Sequence, residues 1–71
     1  MKQVIANMAG TVISVLVNTG DEVQAGSDVV MIESMKMEVP VAAEVSGKVK
    51  VVKVNPGDFV NEGDVLIELE G

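Results

Sequence analysis

The chain has 71 residues, a formal net charge of −6, and neither cysteine nor histidine. This length allows one domain at most, and the composition excludes disulfides, thiolate ligands and the commonest general base. All five cations are lysines and there is one aromatic residue, so the basic patch and stacking surface that nucleic-acid binding requires are missing. No signal-peptide core or membrane-length apolar run is present, and we expect a cytoplasmic protein.

Valine dominates the apolar residues, and seven glycines and two prolines interrupt the chain at short intervals. Branched side chains of this kind favour the pleated, half-buried surfaces of strands. The composition therefore predicts an all-β fold with many short strands and tight turns.

In chain order, the sequence repeats itself at an offset of 37 residues: 10–33 aligns without a gap on 47–70, and 10 of the 24 pairs are identical. Each half predicts a strand, an Asn-x-Gly-Asp turn, a short valine segment, a Gly turn and a second strand, with Asn and Gly supplying positive φ. Neither half can bury a core alone. We therefore predict a single domain, 1–71, in which two small antiparallel sheets related by a pseudo-twofold axis form a flattened barrel or sandwich.

The first strand of each half departs from simple alternation. The shared apolar positions are 12, 15 and 17, and a step of three within a period of two predicts a bulge or a strong twist. In the second half Lys50 and Lys53 look solvated, whereas their equivalents in the first half are Ile13 and Leu16. If the twofold holds, these two apolar residues are unusually exposed; the alternative is that the amino-terminal strand or side-chain packing covers them.

Between the halves lies Glu33-Ser34-Met35-Lys36-Met37-Glu38, which turn chemistry does not explain. Tight turns favour Gly, Asn, Asp or Pro, whereas here a lysine stands between two methionines. A catalytic lysine needs burial or a neighbouring cation, but the flanking Glu33 and Glu38 are acidic, so catalysis by Lys36 is not expected. Acylation by a dedicated enzyme fits better, with Met35 and Met37 as exposed apolar contacts for that enzyme.

Two other interpretations of the segment stay open on pattern alone. Lys36 could be an ordinary solvated turn lysine with methionines capping the barrel end, or Met-x-Met could bind Cu(I) through thioethers, although no Cys or His assists. The repeat also predicts a position: the segment after Glu33 corresponds to the carboxy-terminal end after Glu70. The lysine would therefore project from one end, opposite the chain termini.

Over essentially its whole length the chain resembles the biotinyl/lipoyl attachment domains. The segment 33–38 is similar to their biotin-attachment motif, Ala-Met-Lys-Met, with Ser34 in place of alanine, and the Gly-Asp-x-Val turns also match. The resemblance implies that biotin protein ligase recognises Met35 and Met37 and joins biotin to Lys36 at a hairpin tip. It further implies a non-catalytic carrier that moves a carboxyl group from a biotin carboxylase to a carboxyltransferase, by raising the effective concentration of biotin at both.

Departures from the family pattern refine this expectation. The gapless repeat leaves no room for the inserted thumb of the acetyl-CoA carboxylase carrier, and no Pro/Ala-rich linker precedes Met1, so a free-standing protein and an excised carboxy-terminal domain both fit. A lipoyl carrier for a 2-oxoacid dehydrogenase complex is the alternative, because Glu33 matches a glutamate common in lipoyl motifs. An unmodified interaction domain is a third hypothesis. We also expect the face bearing Ile13 and Leu16 to dock on a carboxylase.

Overall fold

The computed structural model describes residues 2–70, so the ends of the predicted domain, Met1 and Gly71, lie outside the described residues. This part of the chain forms eight strands and no helix, which confirms the all-β prediction. It therefore offers no helix able to cross a membrane. The strands are β1 (Lys2–Ile5), β2 (Gly10–Val15), β3 (Glu22–Val23), β4 (Asp28–Ser34), β5 (Met37–Ala42), β6 (Gly47–Val52), β7 (Phe59–Val60) and β8 (Val65–Glu70).

The strands form two four-stranded antiparallel sheets. We call the sheet of order β5-β4-β2-β7 the tip sheet, and the sheet of order β1-β8-β6-β3, which holds the first and last strands, the terminal sheet. A shift of 37 residues carries β1–β4 onto β5–β8 and so converts one sheet into the other. The pseudo-twofold repeat is thus confirmed, and each sheet takes two strands from each half.

The structural repeat starts earlier than residue 10. Strand β1 corresponds to the second part of β5, and the identical pairs Val4/Val41 and Ala6/Ala43 are all buried. These pairs keep the 37-residue offset and were the sequence signal for the additional strand.

Among residues 2–70, a core of 15 apolar side chains fills the space between the sheets. Fourteen of them form seven pairs at the repeat offset, and Val54 has the half-buried Val17 as its equivalent. The pairs are Val4/Val41, Ala6/Ala43, Val12/Val49, Val23/Val60, Val29/Leu66, Val30/Ile67 and Ile32/Leu69. Burying one Val, Leu or Ile side chain stabilises the fold by about 1.5–3 kcal/mol. Because the buried residues are paired, the two halves contribute nearly equally to the stability of the core.

The predicted irregularity in the first strand of each half is a bulge. The pairing of β2 with β4 shifts between Val12 and Ser14, and that of β6 with β8 shifts between Val49 and Val51. Ile13 is therefore an extra residue on β2, which explains the step of three between apolar positions and increases the local twist.

Four similar turns join the strands. Their glycines, at positions 20, 26, 57 and 63, all have φ between +93° and +96°. Within residues 2–70, Met35 and Lys36 are the only other residues with positive φ. In these four turns the glycine therefore takes the positive φ, and the asparagines do not. In three of the turns the asparagine N–H instead donates to an aspartate Oδ2 three residues later, at 2.8–2.9 Å.

The hairpin of β4 and β5 and the described chain ends lie at opposite ends of the molecule. Strand β2 starts beside the end of β4 and runs away from the hairpin into the 18–21 turn. There the Gly20 N–H donates to the Val49 carbonyl at 2.9 Å. Val49 pairs with Leu69, and Leu69 pairs with Lys2. The hairpin is therefore held far from the point where β1 begins and β8 ends.

Candidate attachment site

The tip of the hairpin is a two-residue loop, Met35-Lys36, closed by the pairing of Ser34 with Met37. The two loop residues have φ of +52° and +66°. Positive φ at both positions is the feature of a type I′ turn, whose twist suits antiparallel strands and which normally uses Asn-Gly. For residues with a Cβ this conformation costs roughly 1–2 kcal/mol each. Backbone strain is thus concentrated on the residues whose side chains are least expected there, which points to function.

The side chains of the tip project into solvent. Met35 is 92% exposed and Met37 is 64% exposed, and Lys36 is exposed between them. A methionine in water contributes no burial to the fold, so the methionines do not cap the barrel end. Their apolar surface is available to another molecule.

The amine of Lys36 is not used by the fold. Across residues 2–70 the one ion pair joins Lys53 to Glu68 at 3.6 Å, and the one lysine hydrogen bond runs from Lys2 to the Ser46 carbonyl. Lys36 can therefore be acylated without breaking any bond that supports the domain.

Glu33 and Ser34, the other residues of the motif, form the end of β4. Ser34 is half-buried, and Glu33 is exposed directly opposite Glu38. The acidic neighbours expected around Lys36 are therefore present in sequence, but neither carboxylate reaches its amine within ion-pair distance. Like charges directly opposite each other in a sheet are unfavourable, and the local fold does not require this pair.

The Met-x-Met interpretation as a Cu(I) site stays a prediction, and a carboxylate metal site is absent from the part of the chain that the structure describes. No three of its acidic side chains gather closely enough to hold an ion. A primary amine flanked by two exposed thioethers on a short turn is the chemical feature of this end of the molecule.

Of the two alternatives for the first-half strand, exposure of its apolar residues is confirmed. Ile13 is 38% exposed and Leu16 is 50% exposed, so the proposal that other parts of the chain cover them is wrong. Sequence reasoning missed Phe59, which is 65% exposed. In the same sheet Phe59 of β7 is paired with Thr11 of β2. The repeat offered a signal for it, since the equivalent of Phe59 is the charged Glu22.

Comparison with known proteins agrees with this geometry. The model of the biotin/lipoyl family, described as "Biotin-requiring enzyme", matches residues 2–70, and the chain belongs to this family. The biotin/lipoyl attachment protein of Bacillus subtilis is 56% identical over 62 residues, covering 87% of this chain and 85% of that protein.

Solved structures share the fold. The urea carboxylase of Kluyveromyces lactis superimposes with a TM-score of 0.90 at 33% identity, covering 97% of this chain and 6% of that one. The lipoyl domain of the 2-oxoglutarate dehydrogenase complex from Azotobacter vinelandii gives a TM-score of 0.72 at 32% identity, covering 89% of this chain and 80% of the domain. The chain thus spans most of the small relatives and a small part of the large carboxylase.

Proposed function

We propose that this chain is a biotin carboxyl carrier, with biotin attached through an amide to Lys36 Nζ. The observation that carries the proposal is the tip itself: an unengaged lysine between two exposed methionines on a strained turn. A carboxylase in which biotin moves between two sites needs such an anchor, and the relatives described above include a biotin/lipoyl attachment protein and a carboxylase.

The residues at the tip fit the cofactor. Condensation of the Lys36 amine with the biotin carboxyl group loses one water overall, and it removes a charge that the fold does not use. Once attached, biotin supplies a ureido nitrogen that accepts and releases a carboxyl group. The domain contributes position: the tip points away from the end where β1 and β8 meet, so a tether at that end leaves the arm unobstructed.

Roles follow for the neighbouring side chains and for the partners. Met35 and Met37 give biotin protein ligase an apolar contact on each side of the amine, and Glu33 and Ser34 complete the recognised segment. A biotin carboxylase and a carboxyltransferase are the two enzymes that the arm visits. The domain itself carries out no chemical step, and a cytoplasmic location stays a prediction.

The first test is the mass of the intact protein after co-expression with an active biotin protein ligase. We expect one adduct equal to biotin less one water, located at Lys36 by fragmentation, with the formal charge falling from −6 to −7. Lys36→Arg should keep the fold and the charge while losing the adduct. An unmodified wild-type chain, with the same ligase active on a known acceptor, would refute the assignment.

A lipoyl carrier is the second candidate, favoured by the fold shared with the lipoyl domain from Azotobacter vinelandii and by Glu33. The same measurement separates the two, because lipoyl and biotinyl adducts differ in mass. Co-expression with a lipoyl ligase and lipoate should leave the chain largely unmodified if the methionines specify biotin, whereas efficient lipoylation would make the chain an acceptor for both cofactors.

A further inference from the structure

The outer face of the tip sheet carries a group of apolar side chains on neighbouring strands. Register places them together: Phe59 pairs beside Thr11 on β2, and Met31 lies between Ser14 of β2 and Pro40 of β5. The bulge residue Ile13 and the following Leu16 extend the set along β2, and both are exposed. We call this set the apolar face; its members are Ile13, Leu16, Met31, Pro40 and Phe59.

The terminal sheet provides an internal comparison, because it has the same backbone and the same position relative to the core. At the five equivalent positions it carries polar or charged residues instead of apolar ones. In the same order these are Lys50, Lys53, Glu68, Gln3 and Glu22. Its exposed large apolar residue is Ile5, on the edge strand β1. The fold thus tolerates a polar surface at every one of these positions, so the apolar face is not a requirement of folding.

The charges of the two sheets differ in the same way. On the terminal sheet Lys48 lies between Glu22 and Glu70, and Lys53 pairs with Glu68 at 3.6 Å, so opposite charges alternate. On the tip sheet the equivalent of Lys48 is Thr11. The carboxylates of Glu33 and Glu38 therefore face each other beside the apolar face with no lysine in the row. This unbalanced pair is complementary to a cationic surface.

Acylation strengthens this imbalance. Lys36 is the one lysine that the tip sheet presents, since Lys2, Lys48 and Lys50 lie in β1 and β6 and Lys53 directly follows β6. When its amine becomes an amide, the cation nearest to Glu33 and Glu38 in sequence is lost. The tip sheet is therefore more attractive to a cationic partner when the carrier is loaded than when it is not.

We propose that the apolar face and the Glu33/Glu38 pair together dock the biotin carboxylase that acts on the loaded carrier. The partner surface has an apolar strip beside lysine or arginine side chains. This inference rests on the proposed function, and it assigns the face to the enzyme that uses the arm. A second copy of the chain does not fit, because two such faces would oppose their carboxylates. Four strands at about 4.8 Å spacing give a face only some 15 Å wide, which suits a small, transient interface.

The test uses a biotin carboxylase with two measurable activities. The enzyme turns over free biotin, and it releases ADP when the loaded wild-type carrier is its substrate. Ile13→Thr/Leu16→Thr removes the apolar surface without changing charge. The KM of the carboxylase for this loaded variant should be tenfold or more above its KM for the wild-type carrier, with kcat within twofold. The rate with free biotin and the extent of biotinylation, measured by mass, should also stay within twofold. A KM within twofold of the wild type would overturn the proposal, as would slowed biotinylation with an unchanged KM, which would assign the face to the ligase.

A matched pair controls for charge. Ile13→Lys/Leu16→Lys copies the residues of the second half and should raise KM further, because it adds two cations to the face that meets a basic partner. Glu22→Gln/Glu70→Gln makes the same change of +2 on the terminal sheet and should leave KM within twofold. Equal effects of the two variants would show that net charge, and not the face, sets KM. If the loaded wild type drives no biotin carboxylase at all, the proposed function fails before this question arises.

The dependence on acylation has its own readout. Lys36→Gln and Lys36→Arg cannot be loaded, and they differ in the charge at the tip. As competitive inhibitors of the loaded wild-type carrier at low salt, the Gln variant should act at a severalfold lower concentration than the Arg variant. This difference should disappear at high salt, where the charges are screened. Equal inhibition at low salt would remove the two carboxylates from the docking surface.

Discussion

At the scale of the residue, the tip shows a conflict between stability and use. Met35 and Lys36 occupy the two positions of a turn that Asn and Gly would satisfy with less strain. Met35 gains nothing from burial in return, since it is 92% exposed. Under the proposed function the tip serves recognition: the amine needs an exposed place, and the apolar flanks are left for the ligase to contact.

A substitution of Met35 should therefore separate stability from modification. Met35→Asn suits positive φ and should raise the free energy of unfolding by about 1 kcal/mol. For a domain of this size that corresponds to roughly 4–8 °C in Tm. The same change should slow biotinylation, measured by mass against time. Met37→Asn is the control, because Met37 lies in β5 without positive φ and should give no gain in Tm. A Tm for Met35→Asn at or below the wild type would contradict the strain assigned to the tip.

At the scale of the element, the strands are held by repeated turns and one close approach. A Cβ at Gly10 would lie 2.5 Å from both the Glu33 carbonyl oxygen and Ile32 Cγ2. Strand β2 can therefore approach β4 this closely only because residue 10 is glycine. One of the four turns, 24–27, differs from the other three. Ser27 N–H donates to the Gln24 carbonyl at 2.9 Å as in its equivalents, but no carboxylate returns to the Gln24 N–H.

Completing that turn should stabilise the domain. Ser27→Asp places a carboxylate where Asp64 stands in the second half, and its bond to the Gln24 N–H should add about 0.5–1.5 kcal/mol. Chemical denaturation at neutral pH would measure it. Asp64→Ser is the reciprocal variant and should lose a similar amount. No change in either variant would show that these exposed bonds do not contribute to the stability of the turns.

At the scale of the whole molecule, the interior follows the twofold and the outer faces do not. Seven pairs of buried residues repeat across the two halves, whereas the five positions of the apolar face have polar or charged equivalents on the terminal sheet. Both halves must bury the same core, so selection for folding acts on the interior equally. The outer faces are free of that demand and can differ in the partners they meet.

The shared construction of the sheets gives a prediction about folding. Cleavage between Lys36 and Met37 should yield two fragments that are each unfolded, because each sheet takes two strands from each fragment. Far-UV circular dichroism and dispersion of amide NMR signals would show this, and an equimolar mixture should regain β structure. The intact chain under the same conditions is the control. Cooperative unfolding of either fragment alone would contradict the arrangement of the sheets.

Several features of the fold and the site were predictable from the sequence because they are local or repeated. The Gly turns, the bulge at Ile13 and the pseudo-twofold were predicted because each leaves a signature in residue type or spacing. The exposure of Ile13 and Leu16 was one of two alternatives, and comparison with Lys50 and Lys53 suggested it. The extension of the repeat through β1 and the exposed Phe59 were missed, because short strands are fixed by their partners across the sheet and carry little pattern of their own.

The sequence by itself determined the class of fold, the position of Lys36 between two repeats and the unusual chemistry of its neighbours. These depend on composition, order and periodicity, which are properties of the chain before it folds. Only the tertiary structure decided that Phe59, Met31 and Pro40 join Ile13 on one face, and that Glu33 lies opposite Glu38. Such groupings depend on which strands pair and in which register. The free energy that selects the register comes from the buried side of each strand, whereas the proposed partner contact uses the other side.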